Sequence, residues 1–151
     1  MKTMLSATAL AVTLAQPAVA ITFPTLTTIY VGTGVYDDGG AINAGIATTI
    51  HCSNVSGALA QIRVVFLNAG GTVQGSPVIF VIPHGAQFGT STHLTVFLDG
   101  TAATGQMQGT ANVESTESGV FCTGVVVNAA IPNLGVTLNL VRVNPHPGTV
   151  E

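Results

Sequence analysis

The chain has 151 residues and carries six acidic and three basic side chains, which gives a formal net charge of −3 at pH 7. Charged residues make up 6% of the chain, far below the roughly 25% of ordinary soluble domains. With one lysine and two arginines the chain has no basic patch, and this excludes nucleic acid and anionic membrane surfaces as principal partners.

The start of the chain has the pattern of a cleaved signal peptide. Lys2 precedes an apolar stretch over residues 4–14, and the sequence AVA at 18–20 matches the small-x-small pattern after which signal peptidase cuts. The apolar stretch is shorter than the roughly 20 residues that span a bilayer. We therefore predict a signal peptide over 1–20, an exported domain over 21–144 and a C-terminal tail over 145–151. The product is expected to be extracytoplasmic, either secreted or periplasmic, with no membrane insertion after cleavage.

After the signal peptide, the chain is rich in Val, Ile, Thr and Gly, with an apolar period of two, which is typical of strands. Eight segments have this pattern: 26–36, 45–52, 59–68, 77–83, 92–100, 107–115, 119–128 and 135–144. Residues 84–91 are predicted to be a connection. Prolines bound the fourth segment, which is therefore predicted at a sheet edge. The sixth segment has the weakest pattern and is predicted either to pair late or to lie at an edge. The sequence predicts an all-β protein, a single antiparallel β-sandwich of about 7–9 strands.

The second segment predicts which face of its strand is buried. Ile46, Thr48, Ile50 and Cys52 alternate and share one face, which is expected to face the core, while Ala47, Thr49 and His51 share the other. The third segment places its apolar side chains in the same alternating way.

The two cysteines, Cys52 and Cys122, are predicted to form a disulfide, because an even pair in an exported domain is usually bridged. A metal or redox site would need a C-x-x-C pair or a tight Cys/His cluster, and neither is present. A bridge across about 70 residues stabilises a domain by about 4 kcal/mol in the chain-entropy model.

The positions of these cysteines, on the second and the penultimate predicted strands, resemble those of immunoglobulin-like domains. The resemblance implies a sandwich with one inter-sheet disulfide, although the chain lacks Trp and has Val120 where those domains place a tyrosine. It implies no function. The stretches TIYVGTGVYDDGGAINAG, ESTESGVFC and LVRVNPHPGTVE are similar to small exported bacterial proteins of unassigned function, which implies a bacterial secreted product.

His84 and His93 are the candidate metal ligands. A hairpin centred on Phe88-Gly89 would place the two imidazoles opposite each other, and imidazole binds Zn or Cu readily. The alternative is that both are polar residues flanking a surface loop. The acidic turns at 37–40 and 99–100 could hold Ca²⁺, or could be ordinary turns.

No catalytic constellation is visible. Glu114 and Glu117 lie in the predicted turn ESTESG, and no G-x-S-x-G occurs. We predict no enzymatic activity and no cofactor. The leading hypothesis is a secreted or periplasmic interaction or structural module with an envelope protein or glycan as its partner. The alternative is a carbohydrate- or metal-binding exported protein that uses the 84–93 loop. The sequence does not determine the oligomeric state.

Overall fold

The computed structural model describes residues 24–96, 100–101, 105–131 and 134–143, so the predicted signal peptide and the 145–151 tail lie outside the described residues. The described residues form strands and no helix. In chain order the strands are β1 (Thr27–Asp37), β2 (Ile46–Asn54), β3 (Ala60–Asn68), β4 (Val73–Gln74), β5 (Phe80–Ile82), β6 (Gln87–Ser91), β7 (Gly100–Thr101), β8 (Met107–Ser115), β9 (Val120–Asn128), β10 (Gly135–Leu138) and β11 (Leu140–Arg142).

The strands make two sheets, which confirms the predicted sandwich. The six-stranded sheet has the order β11-β1-β8-β3-β4, with β5 also paired to β3, and the five-stranded sheet has the order β10-β9-β2-β6-β7. Every pair is antiparallel except the short parallel pair of β6 and β7. No helix among the described residues is long and apolar enough to cross a membrane.

The core lies between the sheets and is built by alternating side chains, since successive residues of a strand point to opposite faces. Ile62, Val64 and Phe66 of β3 are all buried, as predicted for the third segment. They pack with Ile29, Val35, Ile50, Cys52, Phe88, Met107, Ala111, Val113, Val120 and Leu138. Burying one such large aliphatic or aromatic side chain contributes about 1.5–3 kcal/mol.

The disulfide between Cys52 and Cys122 is confirmed, but its predicted inter-sheet position is wrong. β2 and β9 are neighbours in the same sheet, and the two cysteines are direct cross-strand partners. Their Cα atoms are 4.1 Å apart, which is the close spacing of a non-hydrogen-bonded pair in an antiparallel ladder. The bridge therefore ties two adjacent strands together, unlike the bridge of immunoglobulin domains, which joins the two sheets. A buried disulfide indicates that the protein folds in an oxidising environment.

In the middle of the chain, the predicted positions of one strand and one connection are wrong. Residues 87–91 form β6, although 84–91 was predicted to be a connection, and residues 92–96 lie outside any strand. The pattern was misleading because β6 has only one large apolar residue, Phe88, whereas the following segment has several. Residues 97–99 are outside the described residues.

Two other predicted strands lie elsewhere than expected. β8, the sixth predicted strand, is central rather than at an edge, since it pairs with both β1 and β3. Its Gly109 is required there, because a Cβ would lie 1.9 Å from the carbonyl oxygen of Leu67. The last predicted strand bends at Asn139 and divides into β10 in one sheet and β11 in the other.

The segment 92–96 crosses β2 near its first residues. The N–H of Thr92 donates to the oxygen of Thr48, and the N–H of Val96 donates to the oxygen of Ala129, which follows β9 on the other side of β2. Ala47 and Thr49 are fully buried here, although they lie on the face of β2 that was predicted to be open. β2 is therefore buried on both faces near its start.

A polar contact joins the two sheets near the start of β9. Tyr30 of β1 is buried, and its hydroxyl donates to the oxygen of Val120 at 3.4 Å. The same hydroxyl accepts from Nη1 of Arg142 at 2.8 Å, and Nη2 of Arg142 donates to the oxygen of Ser118. The guanidinium also lies 5.3 Å from the ring centre of Tyr30 and 5.2 Å from that of Phe121. Within the part of the chain that the structure describes, these contacts hold Arg142 in place without a carboxylate.

Candidate functional site

The structure does not bring the predicted metal ligands, His84 and His93, together. They lie beyond opposite ends of β6, because residues 88 and 89 are inside an extended strand and do not form the predicted hairpin turn. Five strand residues alone span roughly 16 Å at about 3.3 Å per residue. Exposed His84 accepts a hydrogen bond at Nδ1 from the N–H of Gly57, whereas His93 is buried.

His93 instead forms a buried pair with Asp37, the last residue of β1. Its Nδ1 lies 2.8 Å from Oδ2 of Asp37, and its Nε2 lies 2.9 Å from the oxygen of Ala44. Oδ1 of Asp37 accepts from the N–H of Gly39 at 2.7 Å. The pair therefore connects the end of β1, the loop before β2 and the segment after β6.

The surroundings of His93 determine what the pair can do chemically. Both ring nitrogens face oxygen atoms, and the oxygen of Ala44 is a carbonyl, which only accepts hydrogen bonds. The N–H at Nε2 therefore donates to the oxygen of Ala44, while Nδ1 is in hydrogen-bond contact with Oδ2 of Asp37. In a Ser-His-Asp triad, the ring nitrogen that faces away from the aspartate accepts the proton of the serine. The corresponding nitrogen of His93, Nε2, is instead bonded to the backbone oxygen of Ala44, so no nucleophile lies there. The arrangement is that of a loop anchor.

Asp38 lies beside this pair, and the ligand atoms of Asp37, Asp38 and His93 are all within 4.8 Å of one another. Such spacing permits a shared cation. However, Asp37 and His93 are already in direct hydrogen-bond contact, and Oδ1 of Asp38 accepts from the N–H of Gly40 at 3.0 Å. The turn at 37–40, considered above for Ca²⁺, thus uses its carboxylates to order its own backbone. Asp99, of the second acidic turn, is outside the described residues.

The two glutamates do not form a catalytic pair. Glu114 lies in β8, where Nε of Arg63 on the neighbouring strand β3 donates to its Oε2 at 2.6 Å. Glu117 lies beyond the end of β8, where its N–H donates to Oγ of Ser115 at 3.0 Å. Glu114 therefore serves a cross-strand ion pair, and such pairs are a common means of stabilising sheets.

The most distinctive surface feature is a run of four exposed apolar side chains at a sheet margin: Val78, Ile79, Phe80 and Val81. Phe80 and Val81 belong to β5, which confirms that the proline-bounded segment lies at an edge. Phe80 is anchored by the ring of Phe88, with centroids 4.4 Å apart. We call these four residues the β5 surface. Contiguous exposed apolar patches on soluble proteins mark interaction sites.

A second apolar margin lies at β10, on the other side of the sandwich. Leu134 and Val136 are 60% and 73% exposed, and with Ile46 and Val126 they line a shallow groove of about 390 Å³. Another groove, of about 460 Å³, lies where the chain passes from β10 to β11. Among the described residues that line either groove there is no histidine, carboxylate or free thiol.

The comparisons with known proteins do not add to this geometry. The chain matches no protein-family model, no curated protein and no solved structure.

Sequence reasoning missed the Asp37–His93 pair and the β10 margin for different reasons. The pair joins positions 56 residues apart, and no local pattern connects them. The β10 margin does have a local signal, since residues 118–141 contain no charged residue and no histidine. A long uncharged run that includes a strand is a sign of either deep burial or an unprotected edge.

Proposed function

We propose that this protein is an exported, non-catalytic β-sandwich that works as an interaction or structural module, with a protein of the cell envelope as its partner. Three features support the proposal: the signal-peptide pattern of residues 1–20, the buried disulfide, and the exposed apolar β5 surface.

The observation that carries the proposal is the β5 surface. Four consecutive apolar residues remain exposed here. Only three residues of this segment form the strand β5, and Pro77 and Pro83 flank it on either side. Val81 points to the outer face of β5, since its strand neighbour Ile82 is buried, and exposed Ile79 lies directly before the strand. Both side chains are already about half buried, so covering the rest contributes roughly half of the full burial value, about 1 kcal/mol each.

A protein partner fits this surface better than a glycan. Sugar-binding sites use polar groups and an exposed aromatic platform, whereas the β5 surface is aliphatic except for Phe80, whose ring packs on Phe88. The ring of Tyr30 is buried, and its hydroxyl is engaged in the sheet contact with Val120. The predicted metal use of the 84–93 segment depended on a hairpin that would bring His84 and His93 together, and 87–91 is instead a strand paired with β2.

The test is binding of the purified protein to an isolated envelope fraction of the producing cell. We expect the wild-type protein to bind, and we expect treatment of the envelope with protease, but not with periodate, to abolish binding. The variant with Ile79→Asp and Val81→Asp should lose at least tenfold in affinity. Both side chains are about half exposed, so the variant should retain the circular dichroism spectrum of the fold.

The matched control is Val55→Asp, which changes an equally exposed valine in the loop after β2 and should bind normally. Full binding by the Ile79/Val81 variant, or binding lost with periodate, would contradict the proposal. Mass spectrometry of the protein recovered outside the cytoplasm should find Ile21 as its first residue. Recovery from the medium or from the periplasm distinguishes the two locations.

A further inference from the structure

The free edges of the two sheets are not equally protected. Natural edge strands avoid unwanted pairing by being short or by carrying proline or charge. β4 and β7 have two residues each, β5 lies between two prolines, and β11 ends at Arg142. β10 has four residues, contains no proline or charged residue, and is paired only with β9 among the described strands.

The direction of the free backbone groups of β10 follows from one hydrogen bond. The N–H of Asn128 donates to the oxygen of Leu134 at 3.0 Å, so the carbonyl of Leu134 points toward β9. Backbone groups of an antiparallel ladder alternate every residue, so those of Val136 point toward β9 as well. Gly135 and Thr137 therefore present their N–H and carbonyl groups away from the sheet.

The side chains of β10 provide an apolar face beside this free ladder. Leu134, Val136 and Leu138 share one face, but only Leu138 is buried, against Gly32 of β1 and Gly124 of β9, where a Cβ would lie within 3.3 Å of it. The face is therefore covered at one end of the strand and open at the other. An added strand would cover Val136 and satisfy Gly135 and Thr137 at once.

The charge distribution favours a second copy of this chain as that strand. The chain has a net charge of −3 carried by few side chains, so contacts between two copies are opposed only where acidic side chains meet. Residues 118–141 are free of charge, and pairing through them is not opposed. An antiparallel pair about a twofold axis also joins a strand to itself, so no other complementary sequence is needed.

We infer that β10 of one copy pairs antiparallel with β10 of a second copy about a twofold axis at Val136. Gly135 of each copy then exchanges both backbone hydrogen bonds with Thr137 of the other, and the two Val136 side chains become a close, non-hydrogen-bonded pair with Cα atoms about 4.5 Å apart. The five-stranded sheet becomes continuous across the dimer. Specific stable interfaces bury roughly 1,200–2,000 Å², and a contact centred on four residues is at the small end, so the dimer is reversible.

Sedimentation velocity over a concentration series, on the protein purified in its natural processed form, tests the association. We expect a concentration-dependent monomer–dimer equilibrium. Val136→Lys places two lysines opposite each other and should leave only monomer, while Val81→Lys, an exposed edge valine on β5, should dimerise normally. A wild-type monomer at all concentrations, or a dimer that persists in Val136→Lys, would overturn the inference.

Cysteine cross-linking tests the register. The natural cysteines are both in the disulfide, so an introduced thiol reacts alone. Val136→Cys should give a disulfide-linked dimer under mild oxidation, because its Cβ atoms would lie about 5 Å apart. Thr137→Cys should not, because two residues of offset separate its Cα atoms by about 8 Å, beyond disulfide reach. Cross-linking of Thr137→Cys but not of Val136→Cys would refute the proposed axis.

The dimer and the envelope partner are distinguishable experimentally because they use different margins. β10 lies on the β9 side of its sheet, and β5 lies on the β3 side of the other. A protein that stays monomeric yet binds envelope through Ile79 and Val81 would refute the dimer and leave the proposed function intact.

Discussion

β2 and β10 belong to the same five-stranded sheet but differ in strand pairing, in burial and in covalent linkage. β2 is paired on both sides, buried on both faces near its start and linked covalently to β9. Among the strands that the structure describes, β10 pairs only with β9, and Val136 at its middle is 73% exposed. The comparison indicates that the centre of this sheet holds the fold together, while its edge is available for contacts with other molecules. Changes at the centre should therefore lower stability, and changes at the edge should alter association.

The largest effect is expected from removing the bridge in the centre. The double variant Cys52→Ala/Cys122→Ala should lose about 4 kcal/mol of unfolding free energy, because the link constrains the unfolded chain across 70 residues. Urea unfolding followed by circular dichroism measures this loss. Wild-type protein treated with reductant is the control and should unfold at a similar urea concentration. A loss below about 1 kcal/mol would mean that the β2–β9 ladder is stable without the bond.

The next effect concerns the buried pair that anchors the loop leading into β2. His93→Phe leaves the carboxyl group of Asp37, which is fully buried, without its side-chain hydrogen-bond partner, and should cost about 3 kcal/mol. Adding Asp37→Asn replaces the unpaired carboxyl group by a neutral amide, so the double variant should be more stable than His93→Phe alone. Thermal unfolding of the set measures this coupling. Simple addition of the two single effects would contradict the assigned pair.

The smallest effect is a matched pair of substitutions in neighbouring strands. Val127→Thr in β9 places a hydroxyl at a site that is 2% exposed and should cost about 1–3 kcal/mol. Val136→Thr in β10 should change the unfolding free energy by less than about 0.5 kcal/mol. Urea unfolding measures both free energies, at protein concentrations low enough that association does not contribute. Equal losses would show that β10 is as buried as the centre and would remove the contrast.

Much of the fold was predictable because alternation is a local property of the sequence. Ile50 and Cys52 were assigned correctly to the core face of their strand, and the prolines around β5 placed it at an edge. β6 was missed because Gln87, Gly89 and Ser91 leave Phe88 as its only strong apolar signal. β8 was placed at an edge because Gly109 weakened its pattern, although that glycine is needed for close approach to Leu67.

The site was less predictable than the fold. His93 was recognised as a candidate residue, but its partner was wrong, because the hairpin that would have joined it to His84 is an extended strand. Its actual partner, Asp37, is 56 positions away. The uncharged run over 118–141 could have indicated the β10 margin, but an uncharged strand in a sequence looks the same whether it is central or at an edge.

Strands in two layers with one disulfide follow from the sequence alone, because period-two alternation, an even number of cysteines and a signal-peptide pattern are all readable residue by residue. Only the tertiary structure decided which strands are neighbours. That choice put Cys52 and Cys122 in one sheet, buried both faces of β2 near its start and left β10 with one neighbour among the described strands, since strand order depends on long-range packing that no single segment encodes.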